Sequence, residues 1–115
     1  MLSPSQWFVA VAPIDLRCGI DRLLVVVESL RESDAFDGAA YVFRNRAGTR
    51  LKLLLVDATG VWLCVRRLHQ GRFFGPGAGA RFCEIDAEQF AWLCAGVDWQ
   101  RLSARDAQKV LARRV

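Results

Sequence analysis

The chain lacks any long hydrophobic run, although hydrophobic residues make up 53% of its 115 positions. A helix that crosses a membrane needs about 18 or more consecutive apolar residues, and runs such as Leu23–Val27 are far shorter. The first residues, Met1–Gln6, also lack the basic and apolar segments of a signal peptide. These absences argue against a helical membrane anchor, and we expect a cytoplasmic protein.

Metal-binding patterns are lacking as well. The four cysteines, Cys18, Cys64, Cys83 and Cys94, form no Cys-x-x-Cys pair, and the single histidine, His69, stands apart from them. Zinc sites require closer ligand pairs, so we expect free thiols in a reducing compartment. A glycine-rich loop followed by a helix, as in nucleotide-binding sites, is missing too. We therefore predict no metal and no cofactor.

Catalytic groupings are equally sparse. Asp15, Asp57 and Glu84 each follow or end a predicted strand, which is where the metal-binding carboxylates of a nuclease would lie. However, there is no Asp-x-Asp pair and no motif for a general base. Asp57 precedes Ala-Thr-Gly and is typical of a turn residue, and Asp15 is expected to pair locally with Arg17. We predict a protein without enzymatic activity, with no catalytic residues.

Acidic residues are scarce in the middle of the chain. Residues 1–40 carry a net charge of −3, and residues 83–115 carry a net charge of zero. Residues 41–82 carry +7, because Asp57 alone opposes eight cations: Arg44, Arg46, Arg50, Lys52, Arg66, Arg67, Arg72 and Arg81. This middle segment holds the whole basic excess, which indicates an anionic partner.

Hydrophobic periodicity predicts both strands and helices. The predicted strands are Trp7–Ala12, Ala40–Arg44, Arg50–Val56, Val61–Leu68 and Arg81–Ile85, with a turn at residues 69–71 leading into Arg72–Phe74. The predicted helices are Ile20–Arg31 and Ala87–Ala95, and Asp86 with Gln89 forms a capping box for the second. Phe90, Leu93 and Cys94 are expected to point inward, with Trp99 as a nearby anchor.

These elements predict an α+β fold with a mainly antiparallel sheet of five or six strands. Short turns between sequential strands favour a meander, with the helices packed on one face. A barrel flanked by two helices is the alternative arrangement. We assign residues 1–102 to a single globular domain and residues 103–115 to a basic helical tail.

The basic residues surround one predicted tight turn, Asn45–Gly48. Strand alternation places Arg50 and Lys52 on the same face. Our hypothesis is that this hairpin and its neighbouring strands bind nucleic-acid phosphates through Arg44, Arg46, Arg50, Lys52, Arg66, Arg67 and Arg72. The alternative is a solvated face that keeps an edge strand soluble. Trp62, Phe73 and Phe74 could stack on bases, but aromatic residues on strands are more often part of a core.

Three separated blocks of residues resemble a known family. They are Pro13-Ile14-Asp15-Leu16-Arg17-x-Gly19-Ile20-Asp21-x-Leu23, Val42-Phe43-Arg44-Asn45-Arg46-x-Gly48-x-Arg50-Leu51-Lys52-Leu53-Leu54, and Asp57-x-x-Gly60-x-Trp62-Leu63-x-x-Arg66-Arg67-Leu68-x-x-Gly71-Arg72-Phe73. Together they resemble the small accessory protein of bacterial insertion-sequence family sixty-six, the product of its second open reading frame. That product is often called TnpB and is unrelated to the RNA-guided nuclease of the same label.

The resemblance covers roughly residues 7–102 and implies a non-enzymatic accessory role in transposition. It implies a protein encoded beside a DDE-type transposase and needed for efficient transposition, with that transposase as a partner. DNA as the anionic ligand is the expectation drawn from the basic residues. An assembly factor that binds the transposase or itself through protein contacts is the alternative function. Binding measured across salt concentrations would separate the two.

Overall fold

Five strands and two α-helices make up the described part of the chain. A computed structural model describes residues 3–30, 38–77 and 81–101. The elements are β1 (Trp7–Ala10), α1 (Ile20–Leu30), β2 (Ala40–Arg44), β3 (Arg50–Val56), β4 (Val61–Arg67), β5 (Phe82–Ile85), α2 (Ala87–Cys94) and a 3₁₀ turn (Trp99–Arg101). The predicted α+β class is confirmed. The predicted tail, residues 103–115, lies outside the described residues.

The strands form one mixed sheet in the order β4-β3-β2-β1-β5. The segments β2, β3 and β4 form the predicted antiparallel meander. The prediction of a meander throughout is wrong, because β1 runs parallel to β2 and antiparallel to β5. A parallel neighbour is accessible because residues 11–39, which include α1, form a connection long enough to return the chain in the same direction. The segment Arg72–Phe74 is no strand, and Phe73 is buried instead.

Two hydrophobic clusters account for the core. Leu23 and Val27 of α1 share one cluster with strand residues Tyr41, Phe43, Leu54 and Val56. Trp92 and Leu93 of α2 share the other with Val9, Val42, Leu51, Leu53 and Leu55. Successive strand residues point to opposite faces of a sheet, so these two sets lie on the two sides of β2 and β3. The arrangement differs from the predicted one, in which both helices lie on one face.

Local signals at α2 agree with the structure. Asp86 Oδ1 accepts a hydrogen bond from the Gln89 amide at 2.7 Å, and Gln89 Oε1 accepts one from the Asp86 amide at 2.9 Å. This confirms the capping box, which satisfies two amide groups at the start of the helix. Leu93 is buried, whereas Phe90 is half-buried and stacks on Trp7 with ring centroids 4.1 Å apart.

Trp99 anchors the 3₁₀ turn, as predicted. Its side chain is only 3% exposed, and its indole Nε1 donates to the Phe74 carbonyl oxygen at 2.8 Å.

The four cysteines all lie in described segments and are free thiols. Within residues 3–30, 38–77 and 81–101, no helix combines the length and apolar character needed to cross a membrane.

Candidate nucleic-acid interface

The turn between β2 and β3 is shaped by the side chain of Asn45. Its Oδ1 accepts hydrogen bonds from the amides of Thr49 at 2.9 Å and Arg50 at 3.1 Å. The backbone carbonyl oxygen of Asn45 accepts a further hydrogen bond from the Gly48 amide at 3.1 Å. Gly48 has a φ of +74°, a conformation that suits glycine. The turn therefore holds exposed Arg46 and Arg50 on a backbone with a defined shape.

The chain after β4 reinforces this turn from the side. The Phe73 amide donates to the Gly48 carbonyl oxygen at 2.7 Å, and the Leu68 amide donates to that of Thr49 at 3.0 Å. A Cβ added at Gly48 would lie 3.1 Å from the Phe73 carbonyl oxygen, so the two backbones approach closely. Because Phe73 is 1% exposed, the turn is attached to the hydrophobic core.

Three of the predicted phosphate-binding cations donate to backbone carbonyl groups elsewhere in the fold. Lys52 Nζ donates to the Cys18 carbonyl oxygen at 2.8 Å, and Arg66 Nε donates to the Cys94 carbonyl oxygen at the same distance. Arg44 Nη2 donates to the Val11 carbonyl oxygen at 3.0 Å. Cys94 ends α2, where carbonyl groups lack helical partners and a cation is favourable. We refer to Arg44, Lys52 and Arg66 below as the tethered cations.

Arg44 is a half-buried member of the tethered cations. Burial lowers the pKa of its guanidinium, and the nearby charge of Arg72 lowers that pKa further. A Cβ at Gly75 would overlap the Arg44 guanidinium, so the absence of a side chain at Gly75 makes room for it. Arg44 therefore links the loop around Gly75 to the end of β1.

Arg46, Arg50 and Arg67 form a second group, the exposed arginines. All three side chains are exposed, and none has a hydrogen-bond or ion-pair partner among the described residues. Arg50 and Arg67 stand directly opposite each other in the β3–β4 ladder. Like charges in opposing positions destabilise a sheet, so an anion bound between these two arginines would relieve an unfavourable contact.

The seven predicted cations do not share one face. In an antiparallel pair, directly opposing residues point to the same side. Arg50, Lys52 and Arg67 therefore lie on the face that α1 covers, and Arg44 and Arg66 lie on the face that α2 covers. The turn places Arg46 near the first set.

The aromatic residues considered for base stacking have three different environments. Phe73 is in the core, so the stacking hypothesis is wrong for that residue. Phe74 lies beneath Arg72, whose Cζ is 5.4 Å from the ring centroid, a cation–π distance. Trp62 on β4 is 58% exposed and is available for contacts with a partner.

The three carboxylates considered for a nuclease site all make local contacts. Asp15 pairs with Arg17, whose Nη2 lies 2.6 Å from Oδ2. Hydrogen bonds from the Arg17 side chain and amide lower the pKa of Asp15 to about 2. Asp57 makes the predicted turn, since its Oδ1 accepts from the amides of Thr59 at 2.8 Å and Gly60 at 2.9 Å.

Hydrogen bonds from the Thr59 amide and hydroxyl, and then from the Gly60 amide, lower the pKa of Asp57. Glu84 accepts a hydrogen bond from the Gln6 side chain at 3.2 Å. In the described part of the chain, no three His, Cys, Asp or Glu side chains are grouped as a metal site would require. Each carboxylate thus has a structural contact of its own.

A cleft of about 440 Å³ lies between the turn and the segment that follows β1. Its lining residues come from two stretches: Pro13, Ile14, Asp15, Leu16 and Arg17 from one, and Asn45, Arg46, Ala47 and Arg50 from the other. Sequence reasoning did not place Arg17 beside the basic turn. The available signal was that both stretches belong to the blocks that carry the family resemblance.

Comparison with known proteins identifies the family. The family described as "IS66 Orf2 like protein" matches residues 5–104. The chain belongs to the IS66 Orf2-like family. The resemblance noted from three blocks of sequence is thereby confirmed, and residues 5–104 include the turn, the cleft and all seven predicted cations.

Two relatives from Sinorhizobium fredii extend the same similarity. The IS66 Orf2-like chain is 34% identical to "Uncharacterized protein y4hO" over 93 residues. This matched stretch covers 81% of each of the two chains. It is 30% identical over 112 residues to "Uncharacterized protein y4jC", which covers 95% of this chain and 96% of the relative. No solved structure shows a significant match to the chain.

Proposed function

We propose that this IS66 Orf2-like protein is a non-enzymatic accessory protein of transposition that binds DNA phosphates. The binding surface comprises the β2–β3 turn and the adjoining ends of β3 and β4, which carry three of the seven predicted cations as exposed side chains. The exposed arginines, Arg46, Arg50 and Arg67, contact the phosphates, and the tethered cations hold the surface in shape. The observation that carries this proposal is the direct opposition of Arg50 and Arg67 in a segment with one acid.

The chemistry of these side chains suits the DNA backbone. A guanidinium group is planar and can donate two hydrogen bonds to one phosphate. Such contacts do not read base sequence, and each one releases counterions from the DNA. We therefore expect binding that is largely independent of sequence and strongly weakened by salt.

A titration across salt concentrations tests the proposal. The protein is titrated onto a fluorescent duplex of random sequence, and the logarithm of the association constant is plotted against that of the salt concentration. Each phosphate contact contributes about −0.9 to this slope, so Arg50→Ala should flatten it by about 0.9. Arg22→Ala is the matched control, because it removes another exposed arginine outside the basic segment.

Two binding results would contradict the proposal. If Arg50→Ala binds duplex DNA like the parent and like Arg22→Ala at every salt concentration, Arg50 does not contact phosphates. Failure of the parent protein to bind any duplex would refute the proposed function as a whole.

A second candidate function is assembly with the transposase or with another copy of the chain. An apolar pocket of about 450 Å³ lies on the α2 side of the sheet, with Trp7, Leu53, Cys64 and Phe90 in its lining. Trp62 on the adjoining edge strand is 58% exposed. An exposed apolar area beside an edge strand is a common feature of protein-binding surfaces.

Capture of the neighbouring transposase tests this second candidate. The assay includes nuclease, so that DNA cannot bridge the two proteins. Retention of the transposase by the parent and its loss with Trp62→Ala would support a protein interface on β4. Equal retention by both proteins would exclude Trp62 from it.

A further inference from the structure

The cleft between residues 13–17 and 45–50 combines a basic rim with an apolar lining. Arg17, Arg46 and Arg50 contribute three positive charges, and Asp15 contributes one negative charge, which leaves a net charge of +2. Ile14 and Leu16 add apolar surface. A volume of about 440 Å³ falls within the range of about 300–1,000 Å³ that is typical of small-molecule sites.

The polar groups that could recognise a base are already used within the protein. Asn45 Oδ1 accepts from the amides of Thr49 and Arg50, and its Nδ2 donates to the Thr49 hydroxyl at 3.1 Å. The Asp15 carboxylate accepts hydrogen bonds from the Arg17 side chain and amide. Guanidinium groups are therefore the main donors left in the cleft, and they favour an anion over an uncharged base.

The concave shape and the charge distinguish between two kinds of phosphate. A phosphodiester within a duplex carries one negative charge and lies along a convex surface. A phosphate monoester carries close to two charges at pH 7, because its second pKa is about 6, and it has three terminal oxygen atoms. A monoester thus matches both the net charge of +2 and the fork-shaped donors of several arginines.

We propose that this cleft binds a phosphate monoester group, such as the terminal phosphate of a DNA strand. Arg46 and Arg50 donate to the phosphate oxygen atoms, and Arg17, held by Asp15 at the rim, adds positive charge. The inference rests on the proposed function for the source of the phosphate, since a protein that binds DNA near the turn brings strand ends to the cleft. An acidic peptide is less suitable, because a carboxylate carries one charge and two oxygen atoms.

A titration with small molecules tests the cleft directly. Adenosine monophosphate, inorganic phosphate and adenosine are added separately to ¹⁵N-labelled protein, and amide chemical shifts are followed by NMR. Adenosine monophosphate and inorganic phosphate should shift the amides of residues 13–17 and 45–50, whereas adenosine should not. Affinity for adenosine monophosphate should fall several-fold between pH 7.5 and pH 5.5, as the monoester gains a proton.

Duplex ends then separate the possible sources of the phosphate. Two otherwise identical duplexes carry either a 5′-phosphate or a 5′-hydroxyl at one end. A preference of about tenfold for the phosphorylated end is expected from added charge-assisted hydrogen bonds. Equal affinity for the two ends, together with a response to the free phosphates, would assign the same cleft to a small phosphate compound.

Three variants locate the effect. Arg46→Ala and Arg50→Ala should abolish the response to adenosine monophosphate, while Arg67→Ala should retain it, because Arg67 does not line the cleft. Asp15→Asn keeps an acceptor for the Arg17 amide but removes the negative charge, so it should strengthen binding a few-fold. Circular dichroism melting verifies that each variant is folded.

The results distinguish failure of the cleft from failure of the proposed function. If adenosine monophosphate leaves the amides of both segments unchanged, the inference is wrong even if hydroxyl-ended duplex DNA binds with the expected salt dependence. A response to adenosine equal to that of its monophosphate would also overturn it, because the phosphate would then not be the recognised group. Absence of duplex binding would refute the proposed function. The titration with adenosine monophosphate and inorganic phosphate would still decide whether the cleft binds a phosphate monoester.

Discussion

The tethered cations and the exposed arginines occupy the same stretch of sequence but have different surroundings. Arg44, Lys52 and Arg66 donate to the backbone carbonyl groups of Val11, Cys18 and Cys94, which lie elsewhere in the fold. Arg46 and Arg50 project from the turn, with Arg67 opposite Arg50. A basic segment can therefore supply structural hydrogen bonds as well as exposed positive charge, so the number of its cations overestimates the size of a binding surface.

The largest expected effect comes from removing the exposed arginines together. Replacement of Arg46, Arg50 and Arg67 by Ala should weaken duplex binding about a hundredfold at low salt and flatten the salt slope by about 2–3. The free energy of unfolding should stay within about 0.5 kcal/mol of the parent, because exposed side chains are removed. Fluorescence anisotropy and urea unfolding measure the two quantities. A large loss of stability would show that these arginines also support the fold.

Substitution of a tethered cation should have the opposite pattern. Arg44→Met keeps an aliphatic side chain but leaves the Val11 carbonyl group without its donor. We expect the free energy of unfolding to fall by about 1–3 kcal/mol, with no change in the salt slope of DNA binding. Arg46→Met is the matched control and should leave stability nearly unchanged. Urea unfolding measures the free energy of unfolding of both variants. A flattened salt slope for Arg44→Met would contradict the assignment of Arg44 as a structural cation.

Crowding at Gly75 should convert a tethered cation into an exposed one. In Gly75→Ala, the new methyl group overlaps the Arg44 guanidinium, which must leave the Val11 carbonyl group. A stability loss of about 1 kcal/mol is expected, while Gly77→Ala, with open space around its Cβ, should cause none.

A double-variant cycle verifies the mechanism proposed for Gly75. Once Arg44 is replaced by Met, Gly75→Ala should cause little further loss of stability, because the two substitutions remove the same contact. Fully additive losses would mean that Gly75→Ala acts through some other contact.

The smallest expected effect concerns the β3–β4 turn and its dependence on pH. The pKa of folded Asp57 lies below 3.8, mainly because of hydrogen bonds from Thr59. Its charged form therefore stabilises the fold above pH 3.8, and this contribution is lost as pH falls through the folded pKa. The difference in melting temperature between the parent and Asp57→Ala should accordingly shrink below that pH. Asp57→Asn keeps an acceptor oxygen and should melt closer to the parent at neutral pH.

Local structure was more predictable from the sequence than the site was. The capping box at Asp86 and the turn at Asp57 depend on residues within three positions of each other, so their patterns carried enough information. The bounds of β2 and β3 follow from alternation and flanking turn residues in the same way.

The sorting of the cations depends on contacts that are distant in sequence. Alternation correctly put Lys52 on the face of Arg50, but the Cys18 carbonyl group that Lys52 reaches is 34 residues away. The same holds for the parallel pairing of β1 with β2, which requires a crossover rather than a hairpin. No local pattern specifies which carbonyl group will lack a partner when the elements assemble.

The position of β1 inside the sheet has a consequence for how the protein folds. Trp7 pairs with Ile85, 78 residues along the chain. Closing so long a loop reduces chain entropy before the contact can contribute stability, and contacts of this kind slow folding. During synthesis, β2, β3 and β4 are complete before β5 leaves the ribosome, so β1 has only one neighbour for much of that time. The β2–β4 hairpins, with the basic turn between β2 and β3, are thus the part of the sheet that can form first.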